Sequence, residues 1–272
     1  MFSLHKISVL LLFVFLSLTA SGGNPYYFSG GAIATGMGSV CVTGPGFWNS
    51  FRNQALLTQY PKLSIGFNYL NRFNIRELGT RTAGLIIPAG TTSLGILYSH
   101  FGYSEFRREI TGLACGVTLS ENISAGVQID YLSEKKSGEY ENHGSLTCEA
   151  GLFIKVSEKI SAGIHIFNPV PNSVRNTFMT STLTAGAGID ISPVLYAAVE
   201  VEMNSGQMPE IRSGFDYEAV ENLWIRGGFS TRNTSFTLGI GYLMKTVKLD
   251  LGFATHEKLG VTSGASLIFL IR

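Results

Sequence analysis

Residues that could carry out chemistry are few and scattered along this 272-residue sequence. The three cysteines, Cys41, Cys115 and Cys148, are an odd number and cannot all pair in disulfides, so we expect them to be apolar fillers. His165 has no histidine or cysteine at metal-ligand spacing, and no arrangement of Ser, His and Asp is recognisable as a nucleophilic site. The sequence therefore predicts no enzyme activity, no cofactor and no metal site.

Ionisable residues within the predicted strands are the second group of candidates. They share one phase of the alternation described below, so we expect them to line the inside of a barrel. This set is Asp130, Glu149, His165, Glu200, Glu202, Arg212, Asp216, Arg226, Lys248 and Asp250. Charges of both signs can pair with one another and stiffen the structure, or they can line a conduction path. The sequence leaves both alternatives open.

The elements that position these residues are β-strands, because apolar side chains alternate with small or polar ones from Lys62 to the end of the chain. Ile123, Val127 and Tyr131, for example, lie in one phase, and Ser124 lies in the other. Short connections alternate with longer ones, as in an up-and-down meander. The predicted strands are 62–70, 80–89, 91–101, 109–119, 122–132, 144–156, 159–168, 181–191, 194–204, 208–218, 222–230, 234–244, 247–255 and 260–271.

The composition of the two faces of these strands distinguishes a transmembrane barrel from a soluble β-sandwich. One face is rich in Leu, Ile, Val, Phe and Tyr, and the other is mainly Gly, Ser, Thr and Ala, in a chain with 32 glycines and only 14% charged residues. A soluble β-sandwich would carry abundant charge on its second face, whereas small residues suit a narrow lumen. We therefore predict an all-β, up-and-down antiparallel transmembrane β-barrel of about fourteen strands.

The chain before the barrel divides into two predicted segments. Lys6 and the apolar run from Ile7 to Leu18 predict a signal peptide, 1–22, whose apolar run is too short to span a bilayer as a helix. Residues 23–61 form a distinct glycine-rich segment, and 62–272 form the barrel. The net charge of +1 gives no indication of a nucleic-acid partner.

Motifs in the glycine-rich segment resemble those of a known family. The chain reads GAIATGMG over 31–38, FWN over 47–49 and NQALL over 53–57. This pattern is similar to that of the outer-membrane family of PorV and PorQ, itself related to the FadL fatty-acid transporters, with Gln54 in place of a proline. The resemblance implies a hatch that plugs the lumen and an origin in a Gram-negative bacterium of the Bacteroidota type. The hatch motif comprises Gly31, Ala32, Gly36, Met37, Gly38, Trp48, Asn49 and Asn53.

Two functions follow from the resemblance. The first is an outer-membrane accessory of type IX protein secretion or surface attachment, with secretion-system or surface-modification proteins as partners. The alternative is a FadL-like transporter or pore for small hydrophobic ligands. A third hypothesis, an outer-membrane hydrolase, has no support in the spacing of residues. In each case we expect the protein to lie in the outer membrane of a Gram-negative bacterium, in contact with its lipid, after cleavage of the signal peptide.

Overall fold

The computed structural model describes residues 26, 28–44, 46–138, 143–170, 172–174 and 177–271. Within these ranges, fourteen antiparallel strands form a closed barrel, in which the first strand pairs with the last. The predicted all-β, up-and-down barrel of about fourteen strands is therefore confirmed. The predicted signal peptide, 1–22, lies outside the described residues.

The barrel strands follow the predicted ones closely. They are β1 (Ser64–Asn71), β2 (Gly79–Ala89), β3 (Thr92–Gly102), β4 (Phe106–Ser120), β5 (Ile123–Lys136), β6 (His143–Lys155), β7 (Ile160–Phe167), β10 (Thr182–Ser192), β11 (Leu195–Asn204), β12 (Glu210–Val220), β13 (Leu223–Ser230), β14 (Ser235–Met244), β15 (Val247–His256) and β16 (Gly260–Leu270). Two short strands, β8 (Asn172–Val174) and β9 (Thr177–Met179), pair with each other in the connection between β7 and β10, where the sequence predicts only a loop.

The hairpin of β4 and β5 extends further than the sequence predicts. The predicted strands end at residues 109 and 132, whereas the observed pairing continues to Phe106 and Lys136. Arg108 and Glu134 are direct partners in this extension and form an ion pair of 2.9 Å. The charges interrupt the apolar alternation and so indicate a loop, but opposite charges across two strands stabilise the pairing instead.

The outer surface of the barrel is apolar. Leu113, Ile129, Leu146 and Leu238 are among many large apolar side chains that point outward and are exposed. The alternate residues of the same strands point inward and are mostly buried. An apolar outer band around a closed barrel matches a lipid environment, so this distribution is that of a transmembrane barrel.

The two ends of the barrel differ in their connections. Tight turns join neighbouring strands at one end, as between Ser120 and Ile123, and the paired ends of β1 and β16, Ser64 and Leu270, lie there too. The longer connections, such as residues 72–78, lie at the other end. We call these the tight-turn end and the long-loop end.

The described residues between 28 and 61 lie inside the barrel and fill its lumen, as predicted, and we call them the hatch. They contain the short helix α1 (Gly31–Gly36) and two 3₁₀ helices, Trp48–Phe51 and Gln54–Gln59. Other 3₁₀ turns, Arg72–Asn74, Arg76–Leu78 and Arg232–Thr234, lie in connections at the long-loop end. No helix in the described ranges is long and apolar enough to cross a membrane.

Replacing Leu238 with arginine would place a charge on the lipid face. Leu238 lies near the middle of β14 and is 68% exposed. We expect L238R to lower the free energy of unfolding in lipid vesicles by about 2–4 kcal/mol, the cost of arginine at the bilayer midplane. Leu259→Arg is the control, because Leu259 is 56% exposed but lies in the connection between β15 and β16. An equal loss in both variants would contradict the assignment of this face to lipid.

Candidate functional site

Glycines on the inner face of the barrel allow the hatch backbone to approach the wall. A Cβ atom at Gly214 would collide with the Met37 carbonyl group, and one at Gly252 would collide with the Ala32 carbonyl oxygen. The inward-facing glycines with this role elsewhere are Gly116, Gly126, Gly151, Gly163, Gly228 and Gly239, whereas Gly66 and Gly84 make room for aromatic side chains of the hatch. The glycine-rich face, which the sequence analysis assigns to a narrow lumen, is therefore the surface on which the hatch rests.

The first part of the hatch motif is bonded to the wall through backbone groups. The Ala32 amide donates to Ser266 Oγ at 3.1 Å. The Gly38 amide donates to Thr237 Oγ1 at 2.8 Å, and Thr237 in turn donates to the Gly36 carbonyl at 2.9 Å. Two hydroxyl groups on separate strands therefore hold both ends of α1.

The second part of the motif shapes the interior of the hatch. Gly31 has a φ of 72°, and a Cβ atom there would lie 2.5 Å from the Trp48 ring. Trp48 is fully buried and packs edge-on against Phe47, with ring centroids 4.8 Å apart. Asn49 Nδ2 donates to the Gly44 carbonyl at 3.1 Å. These residues fix the internal geometry of the hatch, with glycine required where the tryptophan ring lies.

Asn53 forms hydrogen bonds within the hatch, and Gln54 bonds the hatch to the wall. Asn53 begins the second 3₁₀ helix: its Oδ1 accepts from the Ala55 amide at 3.2 Å, and its Nδ2 donates to the Val42 carbonyl at 2.7 Å. Gln54, which replaces the proline of the family pattern, donates from Nε2 to Glu149 Oε2 at 2.8 Å. The glutamine that stands in place of the proline thus supplies a hydrogen bond between hatch and barrel.

The ten predicted lumen residues all face the inside of the barrel, and they form three groups. The first group contains Glu200, Glu202 and Arg212. Glu200 Oε1 accepts hydrogen bonds from the backbone amides of Cys41 at 2.7 Å and Val42 at 2.6 Å. Arg212 Nη1 lies 2.7 Å from Glu202 Oε2. This group holds the middle of the hatch against β11 and β12.

Arg52 of the hatch extends the first group, and it is not among the lumen residues predicted from the sequence. Its Nη2 lies 3.3 Å from Glu202 Oε2, and its Nη1 donates to the Phe28 carbonyl at 2.7 Å. On the wall, Arg232 pairs with Glu210 at 2.7 Å. Only the tertiary fold brings Arg52 to β11, because nothing in its local sequence pattern distinguishes it from an exposed arginine.

The second group consists of Asp216, Arg226, Lys248 and Asp250. Arg226 is fully buried; its Nε donates to Asp216 Oδ1 at 3.0 Å and its Nη1 to Asp250 Oδ1 at 2.7 Å. Lys248 Nζ lies 4.5 Å from the centre of the Trp224 ring, within cation–π range. One guanidinium group therefore bridges two carboxylates from different strands.

The third group consists of Asp130, Glu149 and His165. His165 Nε2 lies 2.8 Å from Glu149 Oε2, the same oxygen that accepts from Gln54. Gln128 Nε2 donates to Asp130 Oδ1 at 2.8 Å. In all three groups the polar side chains have partners on the wall or the hatch, and this arrangement favours internal pairing over a conduction path.

The cysteines are separate from one another. Burial raises the pKa of the Cys41 thiol to about 12, so this hatch residue stays protonated. Cys115 and Cys148 lie on the outer faces of β4 and β6, two strands separated by β5, and all three cysteines are free. Within the ranges that the structure describes, no three His, Cys, Asp or Glu side chains are grouped as ligands of a metal ion.

Apolar side chains line the other part of the lumen, which the sequence analysis did not identify. Ile86 and Leu97 point inward from β2 and β3 and belong to one buried cluster with Trp48 and Phe51 of the hatch. Leu97 shares the inward phase with Ser99, so the alternation alone could have found it. The lumen is thus divided into an ionic side and an apolar, aromatic-rich side.

The hatch leaves different amounts of space at the two ends of the barrel. At the tight-turn end a cavity of about 850 Å³ lies beneath it, lined by residues that include Tyr60, Phe153, Lys155 and Tyr196. At the long-loop end a cavity measures about 20 Å³. Of these two cavities, the one at the tight-turn end is therefore much the larger.

Substituting Gly214 with alanine should displace the hatch from the wall, because the added Cβ meets the Met37 carbonyl group. We expect a loss of about 1–3 kcal/mol in the free energy of unfolding, typical of overpacking, and faster proteolysis within the hatch. Gly264→Ala is the matched control, since a Cβ atom there would lie 3.3 Å from the flexible end of Leu70. Identical proteolysis of the two variants would be evidence against the close backbone contact.

Substituting Arg226 with methionine would remove the guanidinium group that pairs directly with Asp216 and Asp250, both of which are buried. We expect R226M to lose about 3–5 kcal/mol of stability in urea unfolding at neutral pH, because a buried charge without a partner is strongly disfavoured. Arg81→Met, on an exposed arginine of β2, should be close to neutral. A loss below about 1 kcal/mol for R226M would mean that the ion pairs behave as exposed ones.

No protein-family model and no curated protein sequence matches this chain. Solved structures do match it. The toluene transporter TbuX of Ralstonia pickettii has a TM-score of 0.70 at 12% sequence identity, over 92% of this chain and 100% of that chain. The toluene transporter TodX of Pseudomonas putida has a TM-score of 0.70 at 10% identity, over 89% and 98%.

A FadL homologue of Pseudomonas aeruginosa matches as well, with a TM-score of 0.65 at 10% identity, over 91% of this chain and 99% of that chain. At such identities the similarity is one of fold. It extends over nearly the full length of each neighbour, hatch and barrel together. The chain therefore has the fold of the FadL-like outer-membrane transporters.

Proposed function

We propose that this protein is an outer-membrane transporter for small apolar molecules, with aromatic hydrocarbons as the substrate class. The observation that carries the proposal is the similarity of fold, over about nine-tenths of the chain, to barrels named as toluene transporters. The proposal takes up the FadL-like alternative of the sequence analysis.

The apolar side of the lumen supports this substrate class. Phe28, Phe47 and Phe51 surround Trp48 there, and the wall contributes aliphatic side chains such as Leu97. Aromatic and aliphatic side chains offer contacts to an apolar ligand without desolvating a charge. The charges of the other side are taken up by ion pairs and hydrogen bonds, so they compete little for a neutral ligand.

Passage of a ligand requires a local rearrangement of the hatch, since the hatch is packed against the wall above the cavity at the tight-turn end. The large cavity at the tight-turn end then receives the ligand after it has passed the apolar cluster. In outer-membrane barrels the short turns face the periplasm, which makes this cavity the periplasmic side of the route.

The accessory role in type IX secretion or surface attachment stays a prediction, as do the Bacteroidota origin and the absence of enzyme activity. The accessory role depends on the hatch motif, and hydrogen bonds between hatch and wall already account for residues such as Gly38 and Asn53. A deletion strain that displays its surface cargo normally would exclude this role.

Uptake of radiolabelled toluene by intact cells tests the proposal. Intact cells of a Gram-negative host are needed, because a simple lipid bilayer is itself permeable to toluene. Cells that express the protein should take up toluene faster than cells with an empty vector. Leu97→Gln should reduce this uptake roughly tenfold, because an amide group in an apolar site disfavours an apolar ligand by about 1–3 kcal/mol.

The matched control for L97Q is Leu94→Gln. Leu94 lies on the same strand but faces lipid, where it is 46% exposed. Cells with L94Q should retain toluene uptake, and both variants should be folded by heat-modifiable mobility on gels. Toluene uptake equal to the empty-vector level, or equal entry of a sugar and toluene, would contradict the proposal.

A further inference from the structure

Two arginines border the small cavity at the long-loop end. This cavity of about 20 Å³, which we call the mouth cavity, lies between the start of the hatch and the ends of β2, β3 and β4. Its polar and aromatic lining comprises Phe28, Ser29, Arg72, Thr80, Ser99, Phe101 and Arg108. A space of this size holds about one water-sized species.

One of the two arginines is neutralised by a carboxylate. Arg108 donates to Glu134 Oε2 through Nη2 at 2.9 Å and Nε at 3.2 Å. The Tyr26 hydroxyl donates to the same carboxylate oxygen at 3.3 Å, and the Tyr26 ring lies 4.3 Å from the Arg108 guanidinium carbon. The Glu134 charge is therefore taken up at Arg108.

The other arginine has no such partner. Arg72 lies 5.6 Å from the centre of the Phe101 ring, but among the described residues no carboxylate lies within ion-pair distance of it. Burial, and then the neighbouring charge of Arg108, lower the pKa of the Arg72 guanidinium from its ordinary value. Among the described residues, two guanidinium charges face the one carboxylate of Glu134, which leaves one positive charge beside the mouth cavity.

A buried hydroxyl group in the same cavity also lacks a partner. Thr80 is only 8% exposed, and its Oγ1 has no hydrogen-bond partner in the structure. A buried polar atom that is left unsatisfied costs about 1–3 kcal/mol. The Thr80 hydroxyl and the Arg72 guanidinium can both donate hydrogen bonds, and both groups border the mouth cavity.

The backbone holds Arg72 in this position. Phe73 and Asn74, which follow it, both have positive φ, 58° and 55°, a conformation that non-glycine residues rarely adopt. Phe73 packs edge-on against His256, with ring centroids 5.3 Å apart. This contact anchors the connection that carries Arg72 to the end of β15.

We propose that the mouth cavity binds one small monovalent anionic group, held by Arg72 and Thr80. An anion supplies the missing negative charge and accepts hydrogen bonds from both donors. The group can be an inorganic anion such as chloride, or the carboxylate of an apolar molecule that enters the barrel. The second source would extend the substrate class from aromatic hydrocarbons to aromatic acids.

Halide binding by the purified protein tests the proposal without any transport step. The protein in detergent is titrated with bromide in a chloride-free gluconate buffer, and bound bromide is detected by broadening of the bromide NMR signal. We expect saturable broadening for the natural protein. Arg72→Gln should weaken bromide binding by about 10- to 100-fold, and Thr80→Val by roughly tenfold, since each removes a hydrogen bond to a charged group.

Arg76→Gln is the matched control, because Arg76 is an exposed arginine four residues further along the same connection. It should bind bromide as the natural protein does. Thr80→Val keeps the shape of the side chain, so it tests the site even if the Arg72 variant fails to fold. No saturable broadening, or equal binding by all variants, would overturn the proposal.

Benzoate and toluene then separate the two sources of the anion. If benzoate displaces bromide, and R72Q reduces benzoate uptake by cells about tenfold but leaves toluene uptake unchanged, the site takes the carboxylate of a transported molecule. If benzoate does not displace bromide, the site takes an inorganic anion. Failure of the transport proposal appears as absent toluene uptake and leaves the halide result unaffected.

Discussion

The hatch backbone contacts the barrel wall at glycines, where the wall has no side chains. The positions of the other side chains in the lumen depend on this contact. Carbonyl and amide groups of residues 32–42 lie directly against inward glycines such as Gly163 and Gly214. A barrel of fourteen strands would otherwise be wide enough for side chains or solvent to fill it. The glycines let the hatch backbone lie directly against the backbone of the wall. Amide and carbonyl groups of the hatch therefore need hydrogen-bond partners at fixed positions on the wall, and hydroxyl and carboxylate side chains supply them.

The pairing of the ionic groups depends on the same close contact between hatch and wall. In a poorly hydrated lumen an isolated charge is costly, so each acid is stable only next to a donor. Glu200 receives two backbone amides of the hatch, whereas Glu202 receives guanidinium groups from the hatch and from the wall. The ionic side therefore holds the hatch in place, and the opposite side is left to aromatic and aliphatic packing. The neutral ligand that we propose would meet the weaker, non-directional contacts on that second side.

Period-two alternation was sufficient to predict the strands, their number and the inward phase of residues such as Asp130 and Arg226, because side-chain direction in a strand depends only on local position. It could not predict which inward residues meet, since Cys41 and Glu200 are 159 positions apart. Arg108 and Glu134 were assigned to loops because charge usually ends a strand. The apolar side of the lumen was missed because Leu97 and Ile86 resemble the lipid-facing residues around them. Residue type alone does not distinguish an apolar lumen from lipid.

The position of the hatch in the chain has a consequence for assembly. The hatch precedes β1, yet its binding partners are distributed from β2 to β16, and β1 closes the cylinder only by pairing with β16. The contacts of the hatch are therefore complete only once β16 is in place. Contacts so distant in sequence form late, and the enclosing strands must close around a segment that is already inside. Complete docking of the hatch therefore requires the closed cylinder.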